Sequence, residues 1–257
     1  MHRRANWIGF LSLSRHEIVR CLRIWPQTLL PPLATTVLYY VIFGNVMGAR
    51  IGNMHGFTYL EFIMPGLVMM NIIDSSYSNV MSSFFMAKFF RSIEELLITP
   101  MPNYIILLGF MVGGMFRGLI VGALVALMSL IFIKVTVYNF GLMILMALLT
   151  SSFLSLIGFI NGVFARKFDD LSIVPMFVLI PLSFFGGVFY SVQLLPPFWQ
   201  TAIYANPIFY MISGFRYAML GIADVSLQAV LLMLGGGVAV MYCLCLWMLR
   251  RGVGIKT

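Results

Sequence analysis

Asp74 and Arg117 are charged side chains set inside long apolar stretches, where a charge at the centre of a membrane helix costs roughly 2.5–3.5 kcal/mol. Such residues pair with one another, line a polar path for a solute or, in the case of arginine, snorkel to the interface. Counted inward from the cytoplasmic ends of their spans, Asp74 lies about nine residues deep and Arg117 about fourteen, roughly 14 and 21 Å. An arginine side chain bridges much of that difference, so both a buried pair and a polar patch facing a pathway stay open.

Other chemistry is sparse. His2, His16 and His55 fall outside the apolar stretches, and none joins Ser, Cys or paired carboxylates in a catalytic constellation. No Lys follows a Gly, so the phosphate loop G-x-x-x-x-G-K-[ST] is absent, and Gly235-Gly236-Gly237 lies in an apolar run that cannot cradle phosphate. Cys21 sits among arginines, and Cys243 and Cys245 sit in the last apolar run, with neither metal nor disulfide spacing. The chain is expected to be no enzyme on its own and to hold no metal or cofactor.

The segment from Phe84 to Pro102 offers chemistry of another kind. Phe85, Phe89, Ile93 and Leu96 repeat at helical spacing, Arg91 and Glu95 can pair at i,i+4, and Pro100 and Pro102 end the helix. An apolar face beside a charged one at a corner between spans suits docking to a soluble partner; a plain surface helix is the alternative.

The elements that must carry these groups follow from the charge pattern. Only 24 of 257 residues are charged, and Ile24–Ala49, Val135–Ala165, Leu171–Phe215 and Val225–Leu249 contain none. About 20 apolar residues cross a bilayer as a helix, so an all-α polytopic membrane protein is expected, a single transmembrane domain over 1–257. Breaks at charges, Pro and Gly place six spans at 26–48, 57–83, 103–133, 139–163, 171–191 and 226–249. With a cytoplasmic N-terminus, the inner segments hold Arg3, Arg4, Arg15, Arg20, Arg23, Lys88, Arg91, Arg166, Lys167, Arg250, Arg251 and Lys256, which is 12 of the 16 basic residues. Arg50, Lys134 and Arg216 are left outside, so both ends are expected in the cytoplasm. The net charge of +8 thus reflects loop placement, and no basic patch interleaved with aromatics points to nucleic acid.

Two segments need their own reading. Phe198–Ile222 is apolar enough to suggest a seventh span, but that would place Arg250, Arg251 and Lys256 outside. Pro196, Pro197, Asn206, Pro207 and Arg216 also break it up, so 191–225 is expected to form short re-entrant helices in the outer leaflet. Residues 1–25 put Trp7, Leu11, Ile18, Leu22 and Trp25 on one helical face, with Arg15, His16, Arg20 and Arg23 elsewhere, which predicts an amphipathic helix on the inner membrane surface. Gly114, Gly118 and Gly122, joined by Gly109 and Gly113, form a small-residue ridge, and Gly158 with Gly162 forms another. Such ridges pack helices either within one subunit or between two, and a dimer is expected because six helices leave little room for a central pathway.

Glu94-Glu95-Leu96-Leu97-Ile98-Thr99-Pro100-Met101-Pro102 resembles the cytoplasmic motif of the type-2 exporter permeases of ABC transporters. Phe168-Asp169-Asp170, Gly186-Gly187-Val188-Phe189-Tyr190, Leu195-Pro196-Pro197-Phe198-Trp199, Asn206-Pro207-Ile208 and Gly214-Phe215-Arg216-Tyr217 resemble that family's C-terminal signature, in order, and the likeness covers the whole chain. The resemblance implies a bacterial inner-membrane subunit that pairs with a second copy of itself and with two cytoplasmic ATP-binding cassette subunits. ATP and Mg would sit on those partners, and the helix from Arg91 to Thr99, with Glu94, Glu95, Leu96 and Pro100, would transmit their motion. The rival is an ion-coupled secondary transporter, for which Asp74 is the one candidate acid; no internal repeat supports it.

Overall fold

The computed structural model describes residues 2–44, 52–99, 101–134 and 137–254, and the side chains within them except those of 2–5, 94 and 97. Arg50, Pro100 and Lys256 and the side chains of Arg3, Arg4 and Glu94, all used above, lie outside that description.

Two helices open the chain almost end to end. α1 (His2–Arg23) and α2 (Trp25–Ile42) are separated at Ile24 (φ −103°, ψ 29°). Helix resumes with Pro26 in its first turn, where the missing N–H has no partner to lose. The hydroxyls of Thr28, Thr35 and Thr36 each donate to a carbonyl about one turn back, which satisfies them inside an apolar helix.

A hairpin follows that the sequence reading did not foresee. β1 (Asn53–Met54) and β2 (Phe57–Thr58) pair antiparallel around His55 and Gly56, both at positive φ (51° and 86°), the geometry of a tight two-residue turn. Thr58 then caps α3 (Tyr59–Phe89): its hydroxyl accepts from the Glu61 N–H while the Glu61 carboxylate accepts from the Thr58 N–H.

α3 is the axis of the molecule. It packs against α5 (Asn103–Ser129) and α6 (Phe140–Phe164), and more lightly against α2. Ile63, Leu67, Ile73, Tyr77 and Phe84 are buried along its length. Between α3 and α5 lies the short α4 (Ser92–Ile98). α7 (Asp170–Phe185) carries a π turn at Pro175–Leu179 between two prolines, the irregularity expected where the i→i−4 ladder loses donors. A 3₁₀ turn at Val192–Leu194, α8 (Pro197–Ile203) and α9 (Pro207–Leu220) precede α10 (Leu227–Arg251), which Ser226 caps.

Among the described residues, α5, α6 and α10 are each long and apolar enough to cross a membrane. The third expected span stops at Ser129 rather than 133, because Leu130–Phe132 form turns. The fifth stops at Phe185 rather than 191, because Gly186 and Gly187 (φ 78°) break out of the helix. α9, at 14 residues, extends about 21 Å and α7, over Asp170–Phe185, about 24 Å, both short of the ~30 Å hydrocarbon core.

The glycine ridges pack helices within the subunit. A Cβ on Gly109 or Gly113 would strike Leu13 or Glu17 of α1, and one on Gly114, Gly118 or Gly122 would strike Val80, Ser76 or Ile72 of α3. Gly158 and Gly162 of α6 press on the α3 backbone at Tyr77 and Met81.

Candidate functional site

At the end of α3 the chain turns through Arg91, held in the left-handed conformation at φ 58°. The expected Arg91–Glu95 ion pair is not formed: Arg91 sits before the first helical turn as its cap, off the i,i+4 row that would bring it to Glu95. Ile93 is buried (1% exposed) in a cluster shared with Leu13, Phe84, Ile106 and Phe110, and Leu96 is half-buried beside it. Thr99 closes α4, its N–H donating to the Glu95 carbonyl. Around this anchored core, Phe90, Arg91, Glu95, Ile98 (84% exposed) and Thr99 face outward.

The corner is fixed to the α6–α7 loop. Lys88 Nζ donates to the carbonyls of Val163 (2.6 Å) and Ala165 (3.0 Å), closing the C-terminal end of α6 with a cation. Burial and the neighbouring Arg166 charge hold its ammonium below the usual lysine range. The Phe168 ring lies 5.1 Å from Phe85 and 5.2 Å from Phe89. Asp170 Oδ2 accepts from the N–H groups of Arg166 (2.8 Å) and Lys167 (3.1 Å), and these bonds hold its carboxyl below the usual carboxylate range.

Deeper in the bundle, α1 packs against α5 through Leu13, Ser14, Glu17 and Cys21, while Trp7, Leu11, Leu22 and Trp25 of the anticipated membrane face point away from the protein. Glu17 is 1% exposed. Ser83 Oγ donates to it at 2.8 Å, and Arg20 Nη2 lies 3.1 Å from its Oε2 and reaches Asn79 Oδ1 (2.9 Å) and O (3.1 Å). α1 is thereby clasped to the α3 turns that lead to α4. The sequence reading missed this network, although Glu17 is the sole acid before Glu61.

Asp74 lies on the outward strip of the otherwise buried α3, in a row with Asn71, Ser78 and Ser82. Asn71 Nδ2 bridges to Thr36 Oγ1 of α2 at 3.3 Å. Asp74 and Arg117 lie within electrostatic reach of each other and form no ion pair.

On the opposite side, Arg216 is buried (1% exposed) rather than a loop charge, so it leaves the orientation count. Its Nη1 lies 3.2 Å from Asp224 Oδ2, and its guanidinium sits 4.1 Å above the Phe62 ring. Asn206 caps α9 and donates to the Leu182 carbonyl at 2.7 Å, while Pro197 and Pro207 open α8 and α9 and Pro196 caps α8. Arg216 and Asp224 are the only base and the only acid between Asp170 and Arg250, which is the signal that would have paired them.

A family model described as ABC-2 type transporter matches residues 9–220. The inner membrane transport permease YadH of Escherichia coli (strain K12) is 51% identical over 251 residues, 98% of either chain. Nodulation protein J of Neorhizobium galegae is 24% identical over 230 residues, covering 87% of this chain and 85% of that one. Its namesake from Rhizobium leguminosarum bv. trifolii is 24% identical over 221 residues, 84% and 82% of the two chains.

Proposed function

The chain belongs to the ABC-2 type transporter family, and from that premise we propose that it is the transmembrane permease subunit of an ATP-driven exporter in the bacterial inner membrane. Two copies form the pathway, and two cytoplasmic ATP-binding cassette subunits, carrying ATP and Mg, drive it. α2, α3, α5, α6, α7 and α10 are the six spans, both termini are cytoplasmic, and 191–225 re-enters the outer leaflet.

The observation that carries the reading is α4. It is short, pinned by Ile93, flanked by two long helices and outward-facing through Glu95, Ile98 and Thr99. A soluble subunit pushing there moves α3 and α5 directly and α1 through the Glu17–Ser83 clasp. The strip of Asn71, Asp74, Ser78 and Ser82 supplies polar lining once a second copy faces it. Large apolar side chains of α2 and α7, including Leu30, Leu38, Met176 and Phe177, are exposed for lipid and for that copy.

Proteoliposomes test this. Transport should require the ATP-binding subunit and hydrolysable ATP; transport by this chain alone on an ion gradient would replace the reading with the ion-coupled one.

A further inference from the structure

Phe168, Phe89 and Phe90 form a row of rings where the α6–α7 loop meets the α3–α4 corner, and each is more than half exposed. The row is rooted on the buried Phe85: Phe168 stands edge-on to it at 5.1 Å and lies 5.2 Å from Phe89, whose ring is 5.5 Å from Phe90. All of these separations are favourable for aromatic pairs. Other bonds hold the two segments together beneath the rings. Lys88 Nζ ties the Val163 and Ala165 carbonyls to the end of α3, and Asp170 Oδ2 closes the turn before Phe168 by accepting from the Arg166 and Lys167 N–H groups. Charges of both signs border the rings, with Arg91 and Glu95 exposed in the α4 segment and Arg166, Lys167 and Asp169 exposed in the loop.

An aromatic centre with a mixed-charge rim has the make-up of a protein interface, where aromatic residues and Arg are enriched. A patch meant for the anionic inner leaflet would carry one sign, because acids gain nothing from those head groups. Size points the same way. A stable interface engages roughly 20–30 residues a side, whereas α4 has seven residues, and Ile93 is buried as its anchor. The exposed, fixed and apolar surface that continues from α4 is the ring row and the loop that carries Phe168. We propose that the α6–α7 loop is the second half of the face that holds the ATP-binding subunit. The rings of Phe89, Phe90 and Phe168 enter one apolar hollow of that subunit, and Arg166 and Lys167, which form no ion pair among the described residues, meet acids at its edge. Because the loop joins α6 to α7, a subunit seated on both segments moves those helices together with α3 and α5. The identity of the occupant rests on the exporter reading; the two-segment shape of the face does not.

The experiment is photo-crosslinking of the full chain in its native membrane, with benzoylphenylalanine replacing Phe168 or, separately, Ile98, and mass spectrometry of the linked product. An ATP-binding cassette subunit should be linked from both positions. Arg166→Glu combined with Lys167→Glu should reduce the link from position 168 severalfold, since opposed charges at an interface rim repel, while the melting temperature stays unchanged. If the chain substituted at Phe168 fails to fold, the same probe in place of the exposed Asp169 decides instead. A link to the subunit from position 98 with only lipid, or nothing, from the loop overturns the proposal and leaves the exporter reading standing. An undiminished link in the folded double charge reversal overturns the assigned role of Arg166 and Lys167. No link to such a subunit from either position overturns the exporter reading and the proposal with it.

Discussion

Ser83 Oγ lies 2.8 Å from both carboxylate oxygens of Glu17, so a hydroxyl two turns from the end of α3 anchors a buried acid on α1. α1, distant in the chain, is joined to α3 and to the α4 corner that follows it by that contact and by the cluster that holds Leu13 and Ile93 together.

Breaking the clasp should loosen the inner half of the bundle. Glu17→Ala leaves Arg20 without its ion partner and should cost about 2–4 kcal/mol, near the range for removing one member of a buried pair. Ser83→Ala should cost about 1 kcal/mol. A double-mutant cycle by thermal melting in detergent should show coupling, whereas strict additivity would mean that the contact carries no energy.

Ile93 and Ile98 separate anchoring from docking within one short helix. Ile93→Ala should destabilise the chain by about 2–4 kcal/mol because it empties a filled core position. Ile98→Glu should leave the melting temperature unchanged and weaken recovery of the ATP-binding subunit severalfold. Loss of stability with intact partner recovery in Ile98→Glu would reverse the two roles.

Arg216 cannot be shortened cheaply. Arg216→Met strands the Asp224 carboxylate and removes the cation above Phe62, for a loss of roughly 3–5 kcal/mol. Arg216→Lys should rescue little, since a point charge cannot both pair with Asp224 and lie flat on a ring. Removing both charges with Arg216→Met and Asp224→Asn should recover part of the loss, and hydrogen exchange in α9 would report it.

Asp170 makes the α6–α7 turn acid-sensitive. Its carboxyl is held below the ordinary range by the amides of Arg166 and Lys167, so the contribution is present above the unfolded pKa of about 4 and is lost as pH falls through the lower folded value. Protection of the Arg166 and Lys167 amides, measured as exchange relative to the free-peptide rate at the same pH, should persist as pH falls past the unfolded value and be lost only through the lower folded one. In Asp170→Asn the protection should be weaker and independent of pH there.

The long apolar runs made α5, α6 and α10 legible, even with Arg117 inside α5, because length and apolarity alone set a membrane helix. The α4 corner was legible from periodicity, but Arg91 was placed on the helix when its backbone is left-handed, a conformation that residue type alone does not announce. The glycine ridges were seen as packing surfaces; only the three-dimensional register shows that α1 and α3 occupy them. The Glu17 clasp went unread because a helical wheel sorts residues by polarity, and Glu17 is polar yet faces inward. The Arg216–Asp224 pair was hidden by treating charges between spans as solvated.

The central claim is that α4 is where a separate ATP-hydrolysing subunit grips this chain. It is tested most directly by solubilising the chain from its native membrane at natural abundance and weighing what co-purifies. The account predicts an ATP-binding cassette subunit at about one copy per chain, lost in Ile98→Glu. Repeated recovery of the folded chain without any such subunit would contradict it.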